Sequence, residues 1–293
     1  NTWMHYAPVA GIEEFMGSGL PAGIYYNDPD TKVFNQYESP EFKQYIETYR
    51  KWHNEGLVNE NVVVESEELD RRIKQNSKEP VAHIDAVSIN PTYKPGMEQE
   101  FIRERGQNPV YQHLAEPLLT SSAVTSTLNS ISATSQNPER AMMMLELVNT
   151  DKYLYNLLVH GIEDLNYVKT GENRFEQIEG HEYITSDWVI GNVFNGMIEG
   201  NAADDIWEQT KQLNDSAKIS PLYGFSPDLS KISLQVSNCK SVTNEYLNSL
   251  EQGVVDIDEI YPIFIEKLNA AGANEIVNEM QRQIDEWKAS KES

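Results

Sequence analysis

Cysteine is nearly missing from this chain: Cys239 is the only one in 293 residues. A lone thiol forms no internal disulfide and no multi-cysteine zinc site. Basic residues are scarce as well, 23 Lys and Arg against 46 Asp and Glu, for a net charge of −23. A field of that sign repels phosphate backbones and anionic membrane surfaces, so nucleic acid is not an expected partner. No apolar run approaches the length of a membrane span, and no signal-peptide pattern opens the sequence. The first residue is Asn1, not Met, which is expected of a piece trimmed from a longer protein.

Catalytic and cofactor signatures are equally thin. "HEYIT" at His181 has no second histidine one helical turn later, so the zinc-protease pattern fails, and no G-x-S-x-G elbow occurs. The glycines of "GSGLPAG" have the wrong spacing for a phosphate loop, and Pro21 interrupts them. "NDPDTKVF" offers Asn27, Asp28 and Asp30 as oxygen ligands, but Lys32 stands where another is needed and no closing glutamate follows. No metal, cofactor or catalytic residue is therefore assigned.

What remains is an ordinary globular composition, 39% hydrophobic and 24% charged, with a length prior of about two domains. The first 35 residues read as aromatic and loop-like. Residues 39–56 form the clearest helix: Ser39 caps it, Pro40 opens it, Phe42, Tyr45, Ile46, Tyr49 and His53 line one face, and Gly56 stops it. His53 on that face is expected as a satisfied core histidine. A short strand is expected at Val81–Val87, a helix at 98–105, and strand segments through 110–135, with one near Thr125–Ala133.

Asn137 and Pro138 then start a helix with Ala141, Met144, Leu145 and Val148 as its buried face. Helices dominate beyond residue 150: one closed by Gly161, one in "ADDIWEQTKQLND", and one over 229–252. The last of these carries the stripe Ile232, Val236, Cys239, Val242, Tyr246, Leu250, which makes Cys239 a core thiol and not a nucleophile. Asp256 and Glu259 have capping-box spacing, with Pro262 pushing the regular start later. Ile276, Val277, Met280, Ile284 and Trp287 share one face of a final helix. The pattern is α/β with a helical C-terminal half, without internal repeats.

Aromatic residues carry the functional signal. Among 15 Tyr, 5 Trp and 8 Phe, a subset (Trp3, Tyr6, Tyr25, Tyr26, Tyr93, Tyr223 and Phe225) lies beside Gly, Pro or Asn and off the helical stripes. Loop aromatics present flat apolar faces to sugar rings while neighbouring polar groups bond the hydroxyls. The competing reading is that each covers a local hydrophobic patch.

Five stretches add a family resemblance. "NSISATSQNPERAMMMLELVNTDKYLYNLLVHGIED" resembles the family 1 extracellular solute-binding proteins of ABC importers, in the maltose-binding-protein-like superfamily. "DWVIGNVFNGMIEG", "SPLYGFSPDLSKI" and "LEQGVVDIDEIYPIFIEKLNAAGANEIVNEMQRQIDEW" resemble the uncharacterised C-terminal region of its lipoprotein-type members. "FNQYESPEFKQYIETYRKWHNEGLVNEN" is similar to the helix after the family's sugar-side loop.

The resemblance implies an α/β, type II periplasmic-binding-protein-like fold, incomplete here. Residues 1–108 would be the later part of the second lobe, 109–165 a return segment of the first, and 166–293 the helical remainder of the second. It implies a non-enzymatic, lipid-anchored extracellular protein that closes two lobes over a carbohydrate-like solute and delivers it to the importer's membrane subunits. By family position Trp3, Tyr6, Ser88, Asn90, Tyr93, Tyr223 and Phe225 are ligand-binding candidates, with Trp188 and Asn192 beside them. None of these turns repeats the maltose binder's residues, which leaves the sugar open. A secreted glycosidase needs two carboxyl groups about 5–9.5 Å apart across a cleft. A binder of peptides or other polar solutes needs paired charges in place of aromatic plates, and a helical interaction module needs only an exposed face.

Overall fold

The computed structural model describes residues 6–58, 93–99, 102, 110–181, 183, 185 and 187–292. In chain order its main elements are β1 (Ile12–Glu13), β2 (Ala22–Tyr25), β3 (Phe34–Asn35), α1 (Pro40–Asn54), β4 (Leu118–Leu119), α2 (Pro138–Thr150) and α3 (Lys152–His160). The hairpin β5 (Tyr167–Gly171) and β6 (Arg174–Gln177) follows, then β7 (Ile198–Glu199), α4 (Ile206–Asp215) and β8 (Lys218–Ile219). Three long helices close the chain: α5 (Ser233–Glu251), α6 (Ile257–Ala270) and α7 (Ala273–Glu292). They group into two compact units, one drawn from residues 1–92, 112–124 and 217–293, the other from 93–111 and 125–216.

The first unit is organised around aromatic packing. Ser39 Oγ accepts the Phe42 N–H at 3.1 Å and fixes the start of α1, so Phe42, Tyr45, Ile46 and Tyr49 all turn inward as the spacing predicts. Tyr37 lies edge-on to Phe42 at 5.1 Å and to Phe264 of α6 at 5.4 Å, and its carbonyl accepts the Tyr261 hydroxyl at 3.0 Å. Cys239 is fully buried on α5, with Ile232 and Leu250 buried on the same stripe, and Ile276, Met280 and Ile284 are buried on α7. Gly253 ends the turn after α5 with φ +67°; a Cβ there would sit 2.5 Å from the Tyr49 carbonyl oxygen, so only glycine fits.

Several expectations need correction. The loop-like start contains the antiparallel sheet β1-β2-β3, whose strands of two to four residues are too short to show a period. Pro262 lies inside α6, and Asp256 caps the helix by accepting the Asp258 N–H, not that of Glu259. His53 is half-buried, and its Nδ1 has no hydrogen-bond partner. In 110–135 only Leu118–Leu119 is strand, paired in parallel with β8; Ser121–Thr125 is a helical turn, and Thr125–Ala133 contains no strand. Hydroxyl side chains explain this: Thr120 Oγ1 accepts the Ala123 N–H and Ser132 Oγ the Thr134 N–H, offering the backbone local partners that compete with a ladder. The expected strand at Val81–Val87 lies outside the described residues, as do 100, 101 and 103–105 of the expected helix, whose residues 98, 99 and 102 are helical.

The second unit has small cores. Tyr167, Phe175 and Met197 form one, and Ile198, Ala202 and Ile206 another. β6 is the centre strand of a three-stranded sheet, antiparallel to β5 and parallel to β7. Asp151 Oδ1 caps α3 through the Leu154 N–H, and Gly161 closes it with φ +83°. On α2 only Val148 is buried; Ala141 and Leu145 are half-buried and Met144 is exposed, so the predicted stripe is only partly covered. Asn137 makes no side-chain cap; its N–H instead donates to Ser135 Oγ.

Candidate functional site

The second unit keeps several aromatic side chains exposed, and one group of them is held from below. Asp187 opens a single 3-10 turn, Asp187–Val189, and its backbone carbonyl accepts the hydroxyl of Tyr155, a fully buried residue of α3, at 2.9 Å. Burial pushes the Tyr155 hydroxyl well above the usual tyrosine range, so it stays protonated and remains a donor. The Asp187 carboxylate meets Lys94 Nζ at 3.2 Å through both oxygens. Trp188, the next residue, is 63% exposed on this anchored backbone.

Tyr93 precedes Lys94, so the ion pair joins the Tyr93 segment to the Trp188 segment. The Tyr93 ring packs at 5.0 Å from Tyr111, with interplanar tilt 54°. Just beyond Trp188, Gly191 takes φ +61° where a Cβ would strike the Val148 carbonyl at 2.5 Å, and this lets the chain run close over α2. Asn192 Oδ1 then accepts the Phe194 N–H at 3.1 Å and starts a second 3-10 turn. Asn195 Nδ2 donates to the Asn149 carbonyl, Asn156 Nδ2 donates to the Asn195 carbonyl, and Asn156 Oδ1 accepts the Met197 N–H. Trp207 of α4 donates Nε1–H to the Gly196 carbonyl at 2.9 Å and lies edge-on to Phe194 at 6.0 Å. A segment with two asparagines and two glycines is thus pinned at both ends while Trp188 and Phe194 stay accessible.

The other candidates separate from this group. Tyr6 is buried in the first unit, stacked on Tyr45 at 5.4 Å, and its hydroxyl donates to Gln36 Oε1 at 2.6 Å. Phe225 is also buried, edge-on to Phe15 at 6.1 Å and Trp287 at 5.6 Å. Both were expected to face ligand; Tyr6, at the start of the short helix Tyr6–Val9, and Phe225, in a turn, are core residues with no open ring face, because each gains more by burial among hydrophobic neighbours. Tyr223 stays exposed in the first unit, in a turn where the Gly224 N–H donates to Ser121 Oγ at 2.8 Å. Trp3, Ser88 and Asn90 lie outside the described residues.

Sequence reasoning passed over Lys94, Tyr111, Asp187 and Phe194. Phe194 in "NVFNG" meets the criterion that selected Tyr223, an aromatic beside Asn and Gly off a helical stripe. The Lys94 to Asp187 pairing spans 93 positions and has no local signal. Among the described residues no cluster of His, Cys, Asp and Glu has metal-binding geometry, and no helix is long and apolar enough to cross a membrane.

Comparisons with known proteins place these features. Residues 221–289 match the model of a domain of unknown function, DUF3502. The chain is 28% identical to a carbohydrate ABC transporter substrate-binding protein of Streptococcus pneumoniae serotype 4, over 98% of this chain and 58% of that relative. Its fold matches the crystal structure of the N-glycan transport solute binding protein (NgtS) from Streptococcus pneumoniae, with TM-score 0.73, 25% identity, and coverage of 96% of this chain and 61% of that one. The same protein in complex with Man1GlcNAc gives TM-score 0.74 at 25% identity, covering 94% and 61%. The expected helix-rich α/β fold of type II solute-binding proteins is therefore present, and the chain spans about three fifths of the length of the relatives it matches.

Proposed function

We propose that this chain is part of an extracellular solute-binding protein that captures a carbohydrate for an ABC importer, and that it binds its solute without chemical change. The observation that carries the reading is the anchored exposure of Trp188 beside the Tyr93 segment. A buried hydroxyl and an ion pair hold the backbone while the indole face stays in water, which suits a sugar's apolar face. Stacking one sugar face on Trp188 removes on the order of 40 Å² of apolar surface, worth roughly 1 kcal/mol. Hydroxyl recognition falls to polar groups around it, Asn192 among them. Tyr223 remains a further candidate in the first unit, and Trp3, Ser88 and Asn90 remain candidates by resemblance alone.

Similarity to a carbohydrate ABC transporter substrate-binding protein over nearly the whole chain supports the ligand class, and the importer's membrane subunits are the proposed partners. A lipid anchor and delivery by hinge closure of two lobes belong to the same proposal for the whole protein. Among carboxyls, burial raises Glu13 and Glu251 above the usual range, and both belong to the first unit. A glycosidase reading would look for its raised general acid beside such a sugar platform.

Calorimetry with mannosyl-N-acetylglucosamine oligosaccharides tests the reading, together with an assay for released sugar. Heat of binding without hydrolysis is expected; hydrolysis, or no binding by either this chain or one carrying its flanking sequence, overturns it. The whole protein is expected near micromolar affinity, about −8 kcal/mol, and this chain alone near millimolar because part of the enclosing contact is absent.

A further inference from the structure

We propose that the Lys94–Asp187 ion pair is a positioning clasp: it fixes Trp188 and the Tyr93 segment relative to each other before ligand arrives, and thereby sets the affinity for a neutral sugar. The proposal rests on the carbohydrate reading for its ligand, and on this chain's geometry for the clasp itself.

The pair is poorly explained as a stabiliser. Its side chains keep 39% and 26% of their surface exposed, and ion pairs so placed contribute little to folding. Its position in the chain is more telling. Lys94 lies directly after Tyr93, whose ring rests on Tyr111, and Asp187 lies directly before Trp188. Asp187 is held twice, at its carboxylate by Lys94 and at its carbonyl by the buried Tyr155 hydroxyl, which fixes both the backbone and the side chain of the residue before the indole. The two segments are 93 positions apart, so chain connectivity does not tie one to the other, and the ion pair is a direct link between Asp187, beside the indole, and Lys94, beside Tyr93. Ordering one rotamer-rich side chain on binding costs about 0.5–1.5 kcal/mol, and a clasp made beforehand removes that cost from the binding step.

An unusual signature follows. Binding of an uncharged sugar ordinarily depends little on salt, but here the platform itself is held by opposite charges in partial contact with water. At 1 M salt the screening length falls to about 3 Å, so the clasp loosens and neutral-sugar affinity drops.

The test uses the full chain labelled with 5-fluorotryptophan, the Trp188 resonance being assigned by its loss in Trp188→Phe. Lys94→Met and Asp187→Asn are each expected to shift and broaden that resonance, as is 1 M sodium chloride on the unaltered chain. The Trp207 resonance and the thermal midpoint are expected to stay in place. Lys94→Arg should keep the Trp188 signal, and the exchanged pair Lys94→Asp with Asp187→Lys should restore it. Calorimetry with the mannosyl-N-acetylglucosamine disaccharide should show a loss of about 2- to 10-fold for each single variant, and little further loss when the two are combined. An unmoved Trp188 resonance in the single variants and in high salt overturns the clasp, as does exchange without rescue. If Trp188 responds as expected while neither the unaltered chain nor one carrying its flanking sequence binds sugar, the clasp stands and the carbohydrate reading fails.

Discussion

Aromatic rings are used in opposite ways by the two units. In the unit that holds α1 and the last three helices, Tyr37, Phe42, Tyr49 and Phe264 are at most 1% exposed, and Tyr37 lies edge to face with both Phe42 and Phe264. In the other unit Tyr93, Tyr153, Tyr183, Trp188 and Phe194 keep between 36% and 78% of their surface in water. Helix amphipathicity accounts for the first arrangement: long helices with apolar stripes bury rings in a continuous core. Loops capped by asparagine and glycine account for the second, since a ring on a 3-10 turn has no stripe to join. The first unit thus concentrates stability and the second concentrates accessible binding surface, an allocation expected when recognition residues sit on loops supported by a scaffold.

The largest effect should come from the buried side. Phe264→Ala removes a fully buried ring that Tyr37, Phe42 and Tyr246 all face, and is expected to cost about 3–5 kcal/mol by denaturant titration. Phe194→Ala in the other unit, 39% exposed, is expected to cost under about 1.5 kcal/mol. Equal losses at the two sites would break the contrast.

A pH series sharpens it next. Glu251 ends α5 within the first unit, and burial, with the Glu14 charge nearby, raises its carboxyl from 4.5 to about 8. The unfolded chain therefore releases this proton at lower pH than the folded chain. The contribution to stability is whole below pH 4.5 and is lost progressively as pH rises to about 8. Denaturant midpoints should decline from pH 5 to pH 9 by the equivalent of a few kcal/mol, and Glu251→Gln should flatten most of that slope. A slope unchanged in the variant would assign it to other carboxyls.

Legibility in the sequence follows the same division. Ser39, Pro40 and Gly56 delimited α1, and the stripes of α5 and α7 placed Cys239 and Met280 in the core, because long amphipathic helices repeat their signal over many turns. The hairpin of β5 and β6 and the short strands near the start escaped, since two to five residues carry too little period to stand above their polar neighbours. The hydroxyl-rich segment before α2 misled for a different reason: β-branched Thr and Val favour strands by shape, yet here Ser and Thr Oγ atoms bond the adjacent backbone. Of the candidate site, Tyr93, Trp188 and Asn192 were legible as loop residues. The partners that hold them, Lys94 and Tyr155, became apparent only through contacts distant in sequence.

A smaller effect tests the platform itself. Trp188→Ala should leave the denaturant midpoint within about 0.5 kcal/mol, because the indole is mostly in water already. It should lower oligosaccharide affinity by roughly 5- to 10-fold, the value of one stacked face. Tyr153→Ala, on the exposed surface of α3, should change neither quantity. Loss of stability without loss of affinity at Trp188 would return that ring to a packing role.

The smallest expected effect concerns one residue type in both environments. Met143 of α2 is 60% exposed and Met280 of α7 is fully buried, although α2 is the more apolar helix of the two. Replacing buried Met280 with Gln strips a thioether from a packed core and leaves an amide to be satisfied, at a cost of several kcal/mol, on the order of 3. Met143→Gln removes surface that water already covers, and the expected change is within about 0.5 kcal/mol. The neighbouring Met142, Met144 and Leu147 are exposed too, and contiguous apolar surface of this kind favours association. Light scattering at rising concentration is therefore expected to show less self-association for Met143→Gln than for the unaltered chain. A stability loss above 2 kcal/mol at Met143 would mean that the residue is covered in solution. If that loss grew with protein concentration, the cover would be another copy of the chain; if it did not, the inward and outward contrast would fail at α2.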